Sequence, residues 1–295
     1  METSKLLSAI ADGAKSLPVN EEDYRSSDGL LMCGKCLTPK ETVLKLGDKT
    51  MIVRCLCKCE EYERDKQEKQ YAEEQRKIRI NEMRSVAFYD SQTKQSVFEN
   101  DDFLNPQLSK ISRRYVDKFA ELKEIPKGLL FFGNVGTGKT FYASCIANAL
   151  IEKNYSCIVT NFARIVNVLS NTKINKQEYI DDLCRYDLLI IDDLSSERNT
   201  EYMNEIVMNV IDSRYRSKKP IIVTTNLTSE ELKNPTDVAK QRIYSRLLEM
   251  CYPVEVKGTD HRKRKLKDDF ESIKNMLEGD DENWRLHCEK LKRFR

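Results

Sequence analysis

The fold of this chain is decided by the stretch Gly133-Asn134-Val135-Gly136-Thr137-Gly138-Lys139-Thr140. A short apolar run of strand length, residues 128–132, precedes it, and a helix-forming run, residues 141–150, follows it. This context of strand, loop and helix is typical of a phosphate-binding P-loop, whereas a glycine-rich hairpin with a stray lysine is the alternative interpretation. The glycines let backbone N–H groups turn inward toward a polyphosphate, and the helix directs the positive end of its dipole at the same place. We therefore predict a nucleotide-binding loop here.

A second motif supplies the acids that such a loop needs. Residues 187–194 form an apolar run, buried on both faces of a predicted sheet, that ends in Asp192 and Asp193. Within the nucleotide site, Lys139 would neutralise the β/γ oxygens and Thr140 would ligate magnesium. We expect Asp192 to hold the magnesium shell and Asp193 to orient or deprotonate the attacking water. The alternative is that the two acids only begin a helix.

The order of the remaining segments predicts the fold class. Strand-like and helix-like segments alternate after the P-loop, which indicates an α/β fold with a parallel sheet of about five strands covered by helices. The further strands are expected at residues 157–160, 187–194, 220–226 and 252–256, and the helices at 162–169, 200–216 and 237–250, with one more at 107–123 before the P-loop. Asn226, at the tip of its strand, would lie beside the γ-phosphate; alternatively, it simply starts a turn.

A cysteine-rich segment precedes this core. Five of the ten cysteines cluster in two short runs, and strand-forming residues between them surround Gly47-Asp48 as in a hairpin. Zinc takes four thiolates in a tetrahedron, so we predict a zinc-binding module over residues 31–60 whose folding depends on the metal. Unligated thiols are the alternative. The candidate ligands are Cys33 and Cys36, together with two of Cys55, Cys57 and Cys59.

Composition and charge limit the function classes. The 295 residues suffice for one sizeable core and an accessory module. No run of about 18 apolar residues and no secretory signal is present, so we expect a cytoplasmic protein without a membrane span, in which clustered cysteines bind metal. The net charge of +2 gives no global support for nucleic-acid binding. Any such affinity must come from local patches, of which the basic run 257–267 is the strongest; the alternative is that this run is merely solvated.

The segments outside the core divide the chain further. Residues 1–30 form a weakly patterned N-terminal segment. Residues 61–95 are mostly helix-forming and carry both signs of charge, which favours a solvated helical linker over a short interaction helix. The ATPase domain is then expected at residues 96–262, followed by a charged C-terminal tail at residues 263–295.

Taken in order, these motifs resemble the AAA+ ATPase core of bacterial and phage helicase loaders, the DnaC/DnaI/IstB-like family. The resemblance covers residues 98–262, and the cysteine module ahead of it is similar to the N-terminal zinc-binding domain of DnaI-like and phage loaders. The matching residues are Phe98-Glu99-Asn100, the P-loop, Asp192-Asp193-Leu194, Ser213-Arg214-Tyr215, residues 220–226, residues 242–247 and residues 258–262.

The resemblance implies roles for individual residues. ATP and Mg²⁺ would bind through Asp192 and the P-loop, that is, Gly133, Asn134, Val135, Gly136, Thr137, Gly138, Lys139 and Thr140. Asp193 would take the acidic catalytic position and Asn226 that of the first sensor. Arg246, or as second choice Arg242, would be the arginine finger that reaches the γ-phosphate of a neighbouring subunit. Many AAA+ proteins carry Glu where this chain has Asp193, which fits slow, switch-like hydrolysis. Arg262 falls near the position of a second sensor.

The family implies an ATP-dependent loader of the replicative DNA helicase, with ATP, Mg²⁺ and Zn²⁺ as cofactors. Such a protein would bind helicase through its zinc module and single-stranded DNA through a homo-oligomeric ATPase core. One alternative is a transposition helper ATPase of the IstB-like branch, although the cysteine module favours the loader. Another is an ATP-binding adaptor without significant turnover, and a small-molecule kinase is a weaker alternative.

Overall fold

The computed structural model describes residues 20–194, 201–235, 237–258, 260, 270–271 and 273–278. The chain divides into two compact units, an N-terminal unit, Met1–Arg79, and a core unit, Ile80–Arg295. The predictions for residues 1–19, for Arg262 and for most of the basic run and of the C-terminal tail lie outside the described residues.

The N-terminal unit consists of small antiparallel pairs and the start of a long helix. Strand β1 (Tyr24–Arg25) pairs with β2 (Leu31–Met32), and β3 (Glu41–Leu46) pairs with β4 (Lys49–Arg54) around Gly47, whose φ is +60°. The hairpin expected between the two cysteine runs is therefore present. Helix α1 (Lys58–Ala87) begins directly after it.

A buried ion pair ties these pieces together. The Lys40 side chain is fully buried, and its Nζ lies 2.7 Å from Asp23 Oδ2 and 3.3 Å from Glu60 Oε1. Burial opposes the charge of Lys40, yet the two carboxylates raise its pKa above the ordinary value. Because a buried ammonium is costly without partners, Lys40 fixes the first turn of α1 against the loop that carries Asp23.

Five parallel strands form the sheet of the core unit, as predicted from the sequence. They are β5 (Gly128–Gly133), β6 (Cys157–Asn161), β7 (Leu188–Leu194), β8 (Ile221–Thr225) and β9 (Cys251–Val256). Their order across the sheet is β6-β7-β8-β5-β9. Strand β8 therefore lies between the strand that enters the P-loop and the strand that ends in the two acids.

Helices cover both faces of this sheet. Within the described ranges, no helix has the length and apolar character needed to span a membrane. A 3₁₀ turn covers Phe98–Asn100, and the helices are α2 (Ser91–Gln95), α3 (Pro106–Asp117), α4 (Phe119–Glu124), α5 (Lys139–Glu152), α6 (Phe162–Leu169), α7 (Lys176–Arg185), α8 (Glu201–Arg216), α9 (Ser229–Lys233) and α10 (Val238–Met250). The single helix predicted at 107–123 is in fact two, because Lys118 leaves helical geometry with φ −98° and ψ 10°. Helix α7 was not predicted.

Apolar side chains of β7 alternate between the two layers of the core. Leu189 and Ile191 pack in one layer, and Leu188 and Ile190 pack in the other. This double burial accounts for the unbroken apolar run read from the sequence. The second layer also contains Ile80 and Ala87, so the end of the predicted linker belongs to the core unit, while most of the earlier part of α1 is exposed.

Candidate functional site

The P-loop curls around the ammonium group of Lys139. Lys139 Nζ donates to Gly133 O at 2.9 Å and to Asn134 O at 2.5 Å, and the residue is only 6% exposed. Gly138, with φ +90°, makes the left-handed turn from which α5 starts, so the amino end of this helix lies at the loop. The loop thus places one positive charge and several backbone donors together, as a polyphosphate requires.

Gly136 is required for two separate reasons. Its φ of +73° lies in the left-handed region that a side chain rarely adopts. In addition, a Cβ at this position would overlap the carboxylate of Asp260. Asp260 belongs to the segment after β9 that carried part of the family resemblance, so the structure brings this one residue of the segment against the P-loop.

The two acids lie at the carboxyl end of β7, where the strand is irregular. The pairing of β7 with β8 shifts register between Ile191 and Leu194, and Asp193 has a φ of +56°. A bulge of this kind re-aims the side chains that it carries. Asp192 Oδ1 lies 2.8 Å from the Thr140 hydroxyl, so the two residues predicted to handle magnesium are in direct contact.

Thr224 of β8, which the sequence analysis did not single out, connects these groups. Its hydroxyl donates to Asp192 Oδ1 at 2.7 Å and accepts from the backbone N–H of Asp193 at 2.8 Å. Asn226, two residues further on, donates from Nδ2 to Asp193 Oδ1 at 2.8 Å. The predicted sensor position and the predicted catalytic acid are therefore hydrogen-bonded partners, and Thr224 fixes the bulge between the two acids.

This arrangement fits a magnesium ion and a nucleotide. Magnesium prefers hard oxygen ligands, and the Thr140 hydroxyl and Asp192 carboxylate offer them beside the P-loop. A bound ion would supply positive charge that offsets the charge of the phosphates. A cavity of about 520 Å³ opens over the loop, and its lining includes the P-loop, both acids and Asn226.

A further wall of this cavity comes from residues 89–102, which the sequence analysis divided between the linker and the start of the ATPase domain. Its contributors include Tyr89, Gln92, Ser96 and Asn100. The segment is anchored by Asp101, whose carboxylate accepts from Ser109 Oγ at 2.5 Å and from Tyr142 OH at 2.6 Å. Burial opposes ionisation of Asp101, but these hydrogen bonds hold its pKa below the ordinary value. The wall is thereby fastened to α3 and α5.

The candidate arginine fingers lie away from the cavity. Arg246 Nε pairs with Asp212 Oδ1 at 2.7 Å, and its guanidinium lies 5.0 Å from the centroid of the Tyr215 ring. Arg242, one turn earlier on α10, is exposed and lines a groove that also contains Glu201 and Asp237. Neither arginine lines the nucleotide cavity of its own chain.

Four of the five candidate cysteines come together in the N-terminal unit. The sulfur atoms of Cys33, Cys36, Cys57 and Cys59 all lie within 4.8 Å of one another. A tetrahedral zinc with Zn–S bonds of about 2.3 Å places its sulfurs about 3.8 Å apart, so the cluster fits such an ion. The fifth candidate, Cys55, lies outside this cluster, and its thiol donates to Pro39 O at 3.5 Å.

The thiols of this cluster differ in acidity. A hydrogen bond with the Thr38 hydroxyl is the main reason why the pKa of Cys36 is lowered to about 5. Burial raises the pKa of Cys57 to about 12. A divalent cation favours the thiolate form of each ligand, so metal binding would release protons from the more buried thiols.

Comparisons with known proteins agree with this geometry. A model of the IstB-like ATP binding protein family matches residues 63–268. The replicative helicase loader DnaI of Bacillus subtilis (strain 168) is 25% identical over 181 residues, which cover 57% of this chain and 58% of that protein. The replicative helicase loader DnaC of Escherichia coli (strain K12) is 30% identical over 144 residues, covering 48% and 56%. The chain thus spans just over half the length of these curated relatives.

The crystal structure of DnaI shares the fold. It superposes with a TM-score of 0.51 at 22% sequence identity and covers 60% of this chain and 98% of the solved chain. The family model spans well over half of the chain and includes the P-loop, the two acids of β7 and both candidate arginines. With its P-loop and its core of five parallel strands, this protein belongs to the family of IstB-like ATP-binding proteins.

Proposed function

We propose that this protein is an ATPase that loads the replicative DNA helicase. The observation that carries the proposal is the continuous hydroxyl and carboxylate network from Thr140 through Asp192 and Thr224 to Asp193 and Asn226. It connects the magnesium position with the water-activating and sensing positions, as a nucleotide-controlled switch requires. The named loaders among the relatives support helicase as the target.

The chemistry follows from the residues in place. Backbone N–H groups of the P-loop and the Lys139 ammonium would bind the phosphates, and magnesium held by Thr140 and Asp192 would offset their charge. Asp193 would orient the attacking water, and Asn226 holds its carboxylate. The side chain of Asp193 is one methylene shorter than that of glutamate, which supports slow turnover suited to a switch.

We further propose that the nucleotide site is completed by a neighbouring subunit. Arg246, or Arg242, would supply the missing positive charge across the interface of a homo-oligomer. A mixing experiment tests this: Lys139→Ala and Arg246→Ala chains should each lack turnover, and together they should regain part of it. Only a mixed interface pairs an intact P-loop with an intact arginine. If native mass spectrometry shows mixed oligomers without recovered turnover, Arg246 is not the finger.

The N-terminal module is proposed to bind zinc and helicase. Cys33, Cys36, Cys57 and Cys59 would hold the ion within residues 31–60, and the assembled ATPase domain, residues 96–262, would contact single-stranded DNA. The tail from residue 263 has no assigned role.

Co-purification distinguishes the candidate functions. The loader should retain the replicative helicase of its source organism, and Cys33→Ser should lose helicase and zinc while keeping ATP. The second candidate, the transposition helper of the IstB-like branch, would retain a transposase instead. ATP turnover measured with and without single-stranded DNA tests the adaptor: turnover in any condition excludes it.

A further inference from the structure

Asp192 accepts a third hydroxyl hydrogen bond, from a residue outside the nucleotide-binding motifs. The Tyr89 hydroxyl donates to Asp192 Oδ2 at 3.1 Å, whereas Thr140 and Thr224 both donate to Oδ1. Tyr89 follows the end of α1, two residues after Ala87. Both oxygens of the carboxylate proposed to hold magnesium thus accept hydrogen bonds, and the bond to Oδ2 comes from the segment that follows α1.

The tyrosine ring is itself held in place. The Arg164 guanidinium lies 5.5 Å from the centroid of the ring, and the residue is half-buried. Burial, together with the charge of Asp192, raises the pKa of Tyr89. The phenol therefore keeps its proton and remains a donor.

The segment after Tyr89 is also fastened to the P-loop helix. Asp90 caps α2 by accepting from the Thr93 N–H at 2.7 Å. At the other end of α2, Asn148 of α5 donates to Ser96 O at 2.8 Å. A change in the orientation of the Asp192 carboxylate would therefore alter the position of a segment that also lines the nucleotide cavity.

We propose that Tyr89 is a positioning residue for the metal-binding carboxylate of this site. Asp192 is 7% exposed, so few water molecules can replace a lost donor. Without the phenol, Oδ2 would lose this donor and the carboxylate would be held at one oxygen only. Partners in the second coordination shell typically change metal affinity by about 10–100-fold. This inference rests on the proposed nucleotide site.

The test compares Tyr89→Phe with Tyr179→Phe, using Mn²⁺ as the probe ion. Both tyrosines are half-buried and line the same small groove beside β6, but no described hydrogen bond joins Tyr179 to Asp192. Mn²⁺ binding is measured by electron paramagnetic resonance with a saturating non-hydrolysable ATP analogue. We expect Tyr89→Phe to bind Mn²⁺ about 10-fold more weakly, and Tyr179→Phe to match the unaltered protein.

Nucleotide affinity in EDTA separates positioning from general damage. It should fall less in Tyr89→Phe than the Mn²⁺ affinity does, because the ring that lines the cavity is kept and only the hydroxyl that bonds to Asp192 is removed. Equal Mn²⁺ affinity in Tyr89→Phe and Tyr179→Phe would overturn the inference, and so would tighter binding in Tyr89→Phe, since the phenol would then compete with the ion. If the unaltered protein binds no nucleotide in the presence of Mn²⁺, that result contradicts the proposed function. The inference is then contradicted too, because it rests on the proposed nucleotide site.

Discussion

Replacing Thr224 with valine tests the network between the two acids. Valine nearly matches threonine in shape, so Thr224→Val removes one hydroxyl with little change in packing. That hydroxyl is buried, donates to Asp192 Oδ1 and accepts from the Asp193 N–H. The substitution should loosen the bulge at Asp193 and release one side of Asp192. The effect on turnover should therefore exceed the effect on folding.

The free-energy cost can be worked from these two contacts. A hydrogen bond to a charged group contributes about 1.5–3 kcal/mol, and a buried N–H left without a partner costs about 1–3 kcal/mol. Thr224→Val should therefore lower the free energy of unfolding by about 3 kcal/mol. Thr225 provides a matched control: it is buried, donates to Leu194 O at 2.7 Å and accepts from the Leu227 N–H at 3.3 Å. Thr225→Val should cost about 2 kcal/mol, because both contacts are neutral.

Urea unfolding and ATP turnover at saturating ATP measure the two effects separately. Both variants should be folded at 25 °C and somewhat less stable than the unaltered protein. Turnover should fall at least about 10-fold in Thr224→Val and stay near normal in Thr225→Val, as expected when a partner of a metal-binding carboxylate is lost. Equal turnover in the two variants would refute the reasoning, because it would mean that the Thr224 hydroxyl only stabilises the fold.

Three further outcomes follow from the described contacts. Metal analysis by atomic absorption should find about one zinc per chain, lost in Cys33→Ser and kept in Cys55→Ser; loss in both would contradict the four-cysteine cluster. Arg214 is fully buried and donates to four backbone carbonyls. Urea unfolding should therefore show that Arg214→Met lowers the free energy of unfolding by at least about 3 kcal/mol. A smaller loss would mean that water replaces the guanidinium. Arg246→Ala should abolish ATP turnover while Arg242→Ala reduces it less; the reverse order would make Arg242 the finger.

The P-loop and the apolar strand that ends in Asp192 and Asp193 were predictable because each is a local sequence pattern. The unbroken apolar run of β7 and the glycine spacing of residues 133–140 depend on neighbours in sequence alone. Thr224 was missed because its importance depends on sheet order, and Tyr89 because its partner Asp192 lies 103 residues away in the sequence. Only when β8 lies between β5 and β7 does the Thr224 hydroxyl reach both acids.

Other misses have similarly specific causes. Helix α7 was missed because its first turn is polar; its start depends on Asn175, whose side chain accepts from the Gln177 and Glu178 N–H groups. The spacing of the cysteines offered five ligands for four positions. In the structure, the Cys55 N–H bonds to Lys40 O at 2.8 Å and continues the hairpin, whereas Cys57 and Cys59 follow at the start of α1 and lie in the cluster of four. The types and spacing of the residues alone do not distinguish Cys55 from Cys57 and Cys59.

Helicase deposition on DNA tests the central claim most directly. The purified protein would be mixed with the replicative helicase of its source organism, circular single-stranded DNA and Mg²⁺, with and without ATP, and helicase bound to the DNA would be quantified. We predict that the unaltered protein increases the amount of bound helicase when ATP is present and that Lys139→Ala does not. The account would be contradicted if the amount of helicase bound to DNA were the same in three reactions: with the unaltered protein, with Lys139→Ala, and with neither.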